Sequence, residues 1–306
     1  MAAPFTKFKK SCSNLFKPSS FKDLRIKGEN IFGNKEIDDK KDKKIEQMPE
    51  DELYAKNLAD LHNFNHKEIL INPNIVKELP NIVKYLDEPI GDPAAINTYL
   101  ICKAARREGI KVLLSGMGAD EIFFGYRRQK ALIYSNIYKK LPYIIQNCIE
   151  LIIKWLPVKI FGRGIVFSRW AKKFIFMSKS STEKNYRLSY SYYNDDELKE
   201  LFNPKYHKYI NDLNEDHNKV FNSRFKGDLI NQMCNTDIEY FMNGLNLTYT
   251  DRASMAASVE VRVPFIDKDV ITSAMTIKSK FKFKYGQSKY ILKKVAEKYL
   301  PKKLIY

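Results

Sequence analysis

The sequence predicts an α/β fold in which a parallel sheet is joined to a large helical region. Residues 94–108 have the pattern of a helix, and a short apolar run at 110–114 follows, with the pattern of a buried parallel strand. A glycine turn and another helix come next, and this order of elements is typical of parallel sheets. After residue 126 the strand patterns fade and long apolar helix faces predominate. We therefore expect an α/β part at 46–126 and a mainly helical part at 127–306 within one functional domain.

The elements before the apolar run are predicted from their flanking residues. A helix is expected to begin near Pro49, because acidic residues at 50–52 place negative charge in its first turn. Residues 68–71 are expected to form a short strand. A further helix should begin at Asn72-Pro73 and end at Pro89, since proline cannot continue a helix. Gly109 is a natural C-terminal cap for the helix at 94–108.

Charge and composition limit the class of protein. The formal net charge is +17 and 44% of the residues are hydrophobic, so a sizeable core is expected together with an anionic partner such as a nucleotide or an acidic lipid. Residues 1–45 are rich in lysine and weakly periodic, which predicts a variable segment with a solvated run at 38–44. Residues 1–45 do not have the pattern of a secretory signal, and polar residues and prolines interrupt the apolar stretch at 141–161. No membrane span is expected.

Cysteine and histidine usage predicts no metal centre. The four cysteines are far apart and none forms a CxxC pair, so a reducing cytoplasm fits best. His62 and His66 have the spacing of two ligands on one helix face. Asparagines at 63 and 65 favour a helix end there instead, with a surface role for both histidines.

Residues 115–126, with the sequence SGMGADEIFFGY, lie at the carboxyl end of the predicted strand, where open α/β sheets bind ligands. The two glycines at 116 and 118 let the backbone approach a ligand, and amides ahead of a helix can bind phosphate oxygens. Asp120 is a hard oxygen ligand of the kind that Mg²⁺ takes beside a polyphosphate. An ordinary turn capped by Ser115 and Asp120 explains the same residues, and spacing alone leaves both interpretations open.

Four segments, in this order, resemble the asparagine synthetase family. They are LDEPI with DPA from residue 86, SGMGADE with FGY from residue 115, DRASM with EVRVPFID from residue 251, and GQSKYIL from residue 286. A weaker match lies at 51–68. The resemblance runs from about residue 46 to residue 306.

The resemblance implies a fold and a reaction. The fold would be a partial doubly wound parallel sheet of the ATP pyrophosphatase (adenine nucleotide alpha hydrolase-like) type. The family uses ATP and Mg²⁺ to adenylate a carboxylate, such as aspartate, and ammonia then displaces AMP to give an amide. A glutaminase domain normally supplies the ammonia, so this chain would need that domain or ammonia from another chain.

The resemblance also implies roles for individual residues. Lys289 would neutralise charge on the phosphates, and Asp120 would serve Mg²⁺ and pyrophosphate, so both are predicted catalytic residues. The predicted nucleotide-binding residues are Ser115, Gly116, Gly118 and Glu121. Arg252 and Arg262 either support the site or form buried ion pairs with Asp251, Glu260 or Asp267.

Three departures from the family pattern predict a fragment, truncated at both ends, that is inactive alone. The family's pyrophosphate loop, Ser-Gly-Gly-x-Asp-Ser, is absent, and the chain contains no Gly-Gly pair. The chain begins Met1-Ala2, without the N-terminal cysteine of the glutaminase, and it stops early at Tyr306. The alternative is a non-catalytic remnant or interaction module.

Met117 is a smaller departure, because many relatives carry an acid at this position. It either marks a different acceptor, such as a sugar carboxylate, or is an apolar filler.

The segment 127–182, here named the basic belt, contains twelve Lys or Arg residues and one acid, Glu150, and so carries +11 of the net charge. Aromatic residues are interleaved with these charges. The belt could bind nucleic acid, dock on anionic lipid or an acidic partner, or be the solvated face of helices whose aromatics pack inside. Because no nucleic-acid-binding motif is present, the third interpretation is favoured and docking comes second.

Overall fold

The computed structural model describes residues 24–27, 50–70, 79–88, 90–157, 159–160, 163–164 and 166–306. The α-helices of these residues are α1 (Glu50–His62), α2 (Leu79–Leu86), α3 (Ala94–Arg107), α4 (Ala119–Phe123), α5 (Arg127–Tyr138), α6 (Tyr143–Trp155), α7 (Val166–Ser178), α8 (Thr182–Tyr190), α9 (Asp195–Leu201), α10 (His207–Ser223), α11 (Leu229–Thr236), α12 (Thr248–Ala256), α13 (Lys268–Thr276), α14 (Ser279–Lys282) and α15 (Tyr290–Ala296). A π-helical segment, Asp237–Leu247, precedes α12.

The described strands are short and pair two by two. They are β1 (Leu24–Lys27), β2 (Lys67–Leu70), β3 (Val112–Leu114), β4 (Lys159–Ile160), β5 (Arg163–Gly164) and β6 (Glu260–Arg262). The pairs β1–β2 and β3–β6 are parallel, with Leu113 opposite Val261, and β4–β5 is antiparallel. The described chain is thus mostly helical with parallel strand pairs, which is compatible with the predicted α/β class. A single doubly wound sheet is not formed by these residues.

The chain divides into two units, residues 1–118, 240–276 and 291–306, and residues 119–239 and 277–290. In the first unit, α2, α3 and α12 build a core of Ile82, Leu86, Ala95, Tyr99, Tyr249 and Ala253. Complete burial of a large apolar side chain contributes about 1.5–3 kcal/mol. This core brings the DEP segment, at the end of α2, next to the DRASM segment on α12.

Aromatic residues build the core of the second unit. Tyr186 on α8 packs on Phe221 of α10, with ring centroids 5.6 Å apart, and the Tyr190 hydroxyl is hydrogen-bonded to Nε2 of His217. At the end of α4, Phe123 and Phe124 are fully buried. The Phe124 backbone has φ +63°, a left-handed conformation that packing of its ring stabilises.

Several predicted elements are confirmed. The helix expected at 94–108 ends at Arg107, and Gly109 caps it with φ +78°. The helix expected from Pro49 is α1, and the left-handed Asn63 ends it, so His62 and His66 do not share a helix face. None of the helices in the described residues has the length and hydrophobicity that a membrane crossing requires.

Three expectations differ from the structure or fall outside it. The strand at 112–114 is parallel, as expected, but it is not buried. Val112 and Leu114 are 42% and 49% exposed, because no described helix covers the face on which they lie. Strand β1 lies in the segment 1–45 for which no regular element was predicted. Helix α2 is described only from Leu79, and Asn72, Pro73, Pro89 and the run at 38–44 lie outside the described residues.

The burial of His217 predicts an acid-sensitive contribution to stability. Burial and the charge of Arg187 lower the pKa of His217 from 6.5 to about 4. The unfolded state therefore binds a proton first, so the contribution is complete above about pH 6.5 and is lost as the pH falls to 4. We expect the difference in unfolding free energy between the native sequence and His217→Gln to fall by about 2–3 kcal/mol as the pH drops from 6.5 to 4. Urea denaturation of both proteins measures this difference. A difference that stays constant with pH would contradict the lowered pKa.

Candidate active site

The turn after β3 is held by its own backbone and by the first unit's core. The Ser115 amide continues the strand ladder by donating to the Arg262 carbonyl over 2.8 Å, and the Ser115 hydroxyl accepts from the Met117 amide over 3.2 Å. Gly118 has φ +92°, and a Cβ there would lie 3.0 Å from Ile266. At Gly116 an added Cβ would meet nothing within 4 Å. Position 118 therefore favours glycine through its left-handed backbone and its close neighbours, whereas open space surrounds position 116.

Met117 fills space in this unit. Its side chain packs against the core formed by α2, α3 and α12, and the Thr250 hydroxyl lies 3.7 Å from its sulfur atom. These contacts support the interpretation of Met117 as an apolar filler.

In the second unit, Asp120 and Lys289 form an ion pair. Nζ of Lys289 lies 2.8 Å from Oδ1 of Asp120, and the side chains are 28% and 39% exposed for Lys289 and Asp120 respectively. Asp120 stands in the first turn of α4. Lys289 has φ +55° and ends a tight loop in which Gly286 is also left-handed. The structure therefore brings together the two predicted catalytic residues, although they are far apart in the sequence.

Gly125 makes this close approach possible. A Cβ at residue 125 would overlap both Oδ1 of Asp120 and Cε of Lys289. The Gly125 amide also donates to the Asp120 carbonyl over 2.8 Å. The glycine of the Phe-x-Gly-Tyr motif thus leaves room for the ion pair, a role that was not predicted from the sequence.

A buried polar network holds the chain around Gly125. The Tyr126 hydroxyl donates to Oε1 of Glu121 over 2.5 Å, and the Tyr126 amide donates to Oε1 of Gln129 over 3.0 Å. Nε2 of Gln129 in turn donates to Asp237 over 2.8 Å. Burial, reinforced by the charge of Glu121, raises the pKa of Tyr126, so its hydroxyl keeps the proton that it donates.

Asp237 is the buried end of this network. Arg128 lies 3.0 Å from its carboxylate and stacks on the Tyr126 ring at 3.8 Å. Burial raises the pKa of Asp237 to about 6, although the Arg128 charge acts in the opposite direction. Sequence analysis missed these residues, because an acid or an arginine on a helix carries no local sign of burial.

The geometry at Asp120 suits a magnesium phosphate better than a metal held by protein alone. Among the residues that the structure describes, no three His, Cys, Asp or Glu side chains converge. Mg²⁺ keeps water and phosphate ligands and takes only one or two carboxylates. Asp120 is accessible for this, and the Lys289 ammonium beside it can bind a phosphate oxygen. Glu121 is buried and held by Tyr126, so its contact with a nucleotide stays a prediction.

The family-profile and sequence comparisons agree with the motifs. The sequence profile of the family described as asparagine synthase matches residues 43–306. The chain belongs to the asparagine synthase family. Asparagine synthetase (glutamine-hydrolyzing) 1 of Bacillus subtilis is 30% identical over 251 residues, which are 79% of this chain and 36% of the relative. A Mycobacterium tuberculosis relative is 28% identical over 234 residues, 76% of this chain and 34% of its own. The chain thus spans about a third of the length of these curated relatives.

The asparagine synthase motifs meet in pairs within each unit. Arg252 of the DRASM segment forms an ion pair with Asp87 of the DEP segment over 3.0 Å. Arg262 pairs with Glu260 over 2.7 Å on the same face of β6. Both pairs are exposed, so the alternative in which these arginines form buried ion pairs is wrong, and each pair contributes little stability. The reason at β6 is that residues two apart share one face, and this face is open.

Gly125→Ala should destabilise the second unit by about 1–3 kcal/mol, because the added methyl group displaces the Asp120–Lys289 pair. The cost should shrink in a chain that already carries Asp120→Ala and Lys289→Ala, since the overlapping atoms are then gone. Chemical denaturation of the four proteins measures both effects. Gly244→Ala is the matched control, as an added Cβ there meets nothing within 4 Å. An equal cost in both backgrounds would show that Gly125 serves another purpose.

Proposed function

We propose that this chain is the nucleotide-binding part of a ligase that amidates a carboxylate at the expense of ATP. The observation that carries the proposal is the accessible Asp120–Lys289 pair, with Gly125 leaving space for it. Membership of the asparagine synthase family and the names of the Bacillus subtilis relatives support the amidation of a carboxylate. An ATP pyrophosphatase-type fold is part of the proposal, and β3 with its following turn would be its nucleotide edge.

The proposed reaction has two steps. A carboxylate oxygen of the acceptor attacks the α-phosphorus of ATP, the bond from that phosphorus to the pyrophosphate oxygen breaks, and pyrophosphate leaves. Ammonia then attacks the acyl carbon, the bond to AMP breaks, and the nitrogen releases a proton as the amide forms. The acceptor would be aspartate or a related carboxylate.

The chain's residues would act on the charge that develops in the first step. The Lys289 ammonium would lie against the phosphates and neutralise the charge that grows on the leaving pyrophosphate. Asp120 would hold Mg²⁺, which when bound polarises the phosphate oxygens. The strained backbone at Lys289 fits this role, because such conformations cluster where a side chain must be aimed at a ligand. Gly116 and Gly118 would offer backbone amides to the nucleotide, and Ser115 would offer its hydroxyl, because its amide already donates to the Arg262 carbonyl.

Ammonia would reach this site from a glutaminase domain or from another chain. Burial raises the pKa of the Cys102 and Cys234 thiols to about 11, so neither forms the thiolate that attacks glutamine. The third described cysteine, Cys148, is exposed on α6.

We also propose that this 306-residue chain does not complete the first step alone. The sequence contains no Gly-Gly pair and hence no Ser-Gly-Gly-x-Asp-Ser loop, whose amides would surround the pyrophosphate. Removing a single oxyanion donor costs about a hundred- to a thousand-fold in rate, so the lack of a whole loop costs more.

Mg·ATP should bind measurably by calorimetry, and Lys289→Met should weaken the affinity about ten- to a hundred-fold, because a charged hydrogen bond to phosphate is lost. Lys219→Met is the matched control, since Lys219 forms an exposed pair with Asp216 at 3.2 Å in the same unit. Equal affinities of both variants would refute the site assignment. Absence of any ATP binding would favour the non-catalytic interaction module.

ATP–pyrophosphate exchange with aspartate, or with a sugar carboxylate, should be undetectable for this chain. Fusion of a family strand and loop ahead of residue 46 should restore exchange, and Asp120→Asn should then abolish it by removing the proposed magnesium ligand. Radiolabelled pyrophosphate incorporation into ATP measures each case. Robust exchange by the unmodified chain would contradict the proposed inactivity.

A further inference from the structure

The basic belt contains a helix whose apolar face is open to water. On α6 the exposed side chains Ile144, Cys148, Leu151, Ile152 and Trp155 recur at intervals of three, four or one residues, which places them on one helix face. No α6 side chain is buried, and Trp155 is 82% exposed. The expectation that the belt's aromatics pack inside is therefore wrong for this helix. Phe167, Trp170 and Phe176 on α7 are also exposed.

Helices α6 and α7 enclose an apolar groove with a basic rim. Leu151 and Phe176 line this groove, whose volume is about 610 Å³, and the lysines at 154, 172 and 179 surround it. Nζ of Lys179 lies 2.7 Å from Glu150. The single acid of the belt is thus already paired, and among the described residues Lys154 and Lys172 form no ion pair with an acid.

We propose that the hairpin of α6 (143–155) and α7 (166–178) docks on an anionic phospholipid surface. The exposed face of α6 would lie among the acyl chains near the headgroups, and Lys154 of α6 with Lys172 and Lys173 of α7 would meet lipid phosphates. At 13 residues, α6 is too short to cross a bilayer, so it would lie in the plane of the surface.

The chemistry of this face favours lipid over other anionic partners. Single-stranded nucleic acid is bound largely through rows of stacking aromatic side chains. Trp155 is aromatic, but its neighbours on the exposed face of α6, Ile144, Leu151 and Ile152, are aliphatic and cannot stack on bases. A second copy would oppose the belt's +11 charge with an identical charge if the same faces met. Tryptophan and lysine beside an aliphatic face are the composition of helices that lie at membrane interfaces.

The two tryptophans of the chain, Trp155 and Trp170, both belong to this hairpin, so intrinsic fluorescence reports on it directly. In a Trp170→Phe background, emission from Trp155 should shift to the blue and resist acrylamide quenching when vesicles of phosphatidylcholine and phosphatidylserine are added. Vesicles of phosphatidylcholine alone should leave the emission unchanged. Sedimentation with the same vesicles gives the affinity of the full chain.

Paired variants separate the apolar and the electrostatic parts. Ile152→Asp with Trp155→Asp should weaken vesicle binding at least about tenfold, because two apolar groups no longer insert. Leu213→Asp, an exposed leucine on α10 of the same unit, should leave binding unchanged. Lys154→Glu with Lys173→Glu should weaken binding more than Lys205→Glu with Lys208→Glu, although both pairs change the net charge equally.

Four outcomes would overturn the proposal. Equal binding to neutral vesicles, or no binding to either kind, would exclude an anionic lipid surface. Binding of a single-stranded oligonucleotide that Ile152→Asp abolishes would identify nucleic acid as the occupant. A dimer without vesicles that the same substitution dissociates, measured by analytical ultracentrifugation, would identify a second copy of the chain.

Discussion

The second unit is organised around a carboxylate that has been removed from water. Asp237 is 1% exposed, and an unpaired charge in such a place would cost several kcal/mol. Arg128 and Gln129 reach it from α5, and the Asp237 charge acts on the buried Tyr186 of α8. Helix α5 can therefore occupy only positions in which both of its donors meet this carboxylate. Loss of one partner of such a pair costs about 3–5 kcal/mol, so the network constrains the unit more strongly than any surface pair.

This constraint extends to the candidate site through two short hydrogen-bonded steps. Gln129 binds the Tyr126 amide as well as Asp237, and Tyr126 binds Glu121, which follows Asp120 directly. The segment that contains Gly125 is therefore held from both sides. The four charged residues around this segment differ in burial. Glu121 and Asp237 are buried, whereas Asp120 and Lys289 are partly exposed. Such a division keeps the accessible pair available to a ligand while the buried acids fix its position.

Features that depend on neighbouring residues could be predicted from the sequence, whereas features that depend on packing between distant segments could not. Helix α3 and its Gly109 cap follow from periodicity and from the conformational freedom of glycine. The Asp120–Lys289 pair could be inferred only from family resemblance, because nothing in either local sequence points to the other. The steric role of Gly125 requires coordinates. Exposure was misjudged at β3 and α6 for one reason: a pattern shows which apolar side chains share a face, but not whether another element covers that face.

Two buried titratable groups of the second unit act in opposite directions on its stability. The pKa of Asp237 is raised to about 6 in the folded chain, so this carboxyl binds a proton more readily in the folded chain than in the unfolded chain. Its contribution to stability therefore falls as the pH rises toward 6. The pKa of His217 is lowered to about 4 in the folded chain. Its contribution to stability therefore rises with pH until the histidine of the unfolded chain has lost its proton. Each slope is about 1.4 kcal/mol per pH unit, and the two windows overlap between pH 4 and 6. The contributions of these two groups to stability therefore offset each other between pH 4 and 6. Tyr186 lies beside both groups, because its ring centroid is 6.5 Å from that of His217 and because burial and the Asp237 charge together raise its pKa, so the two opposing dependences belong to one packed cluster.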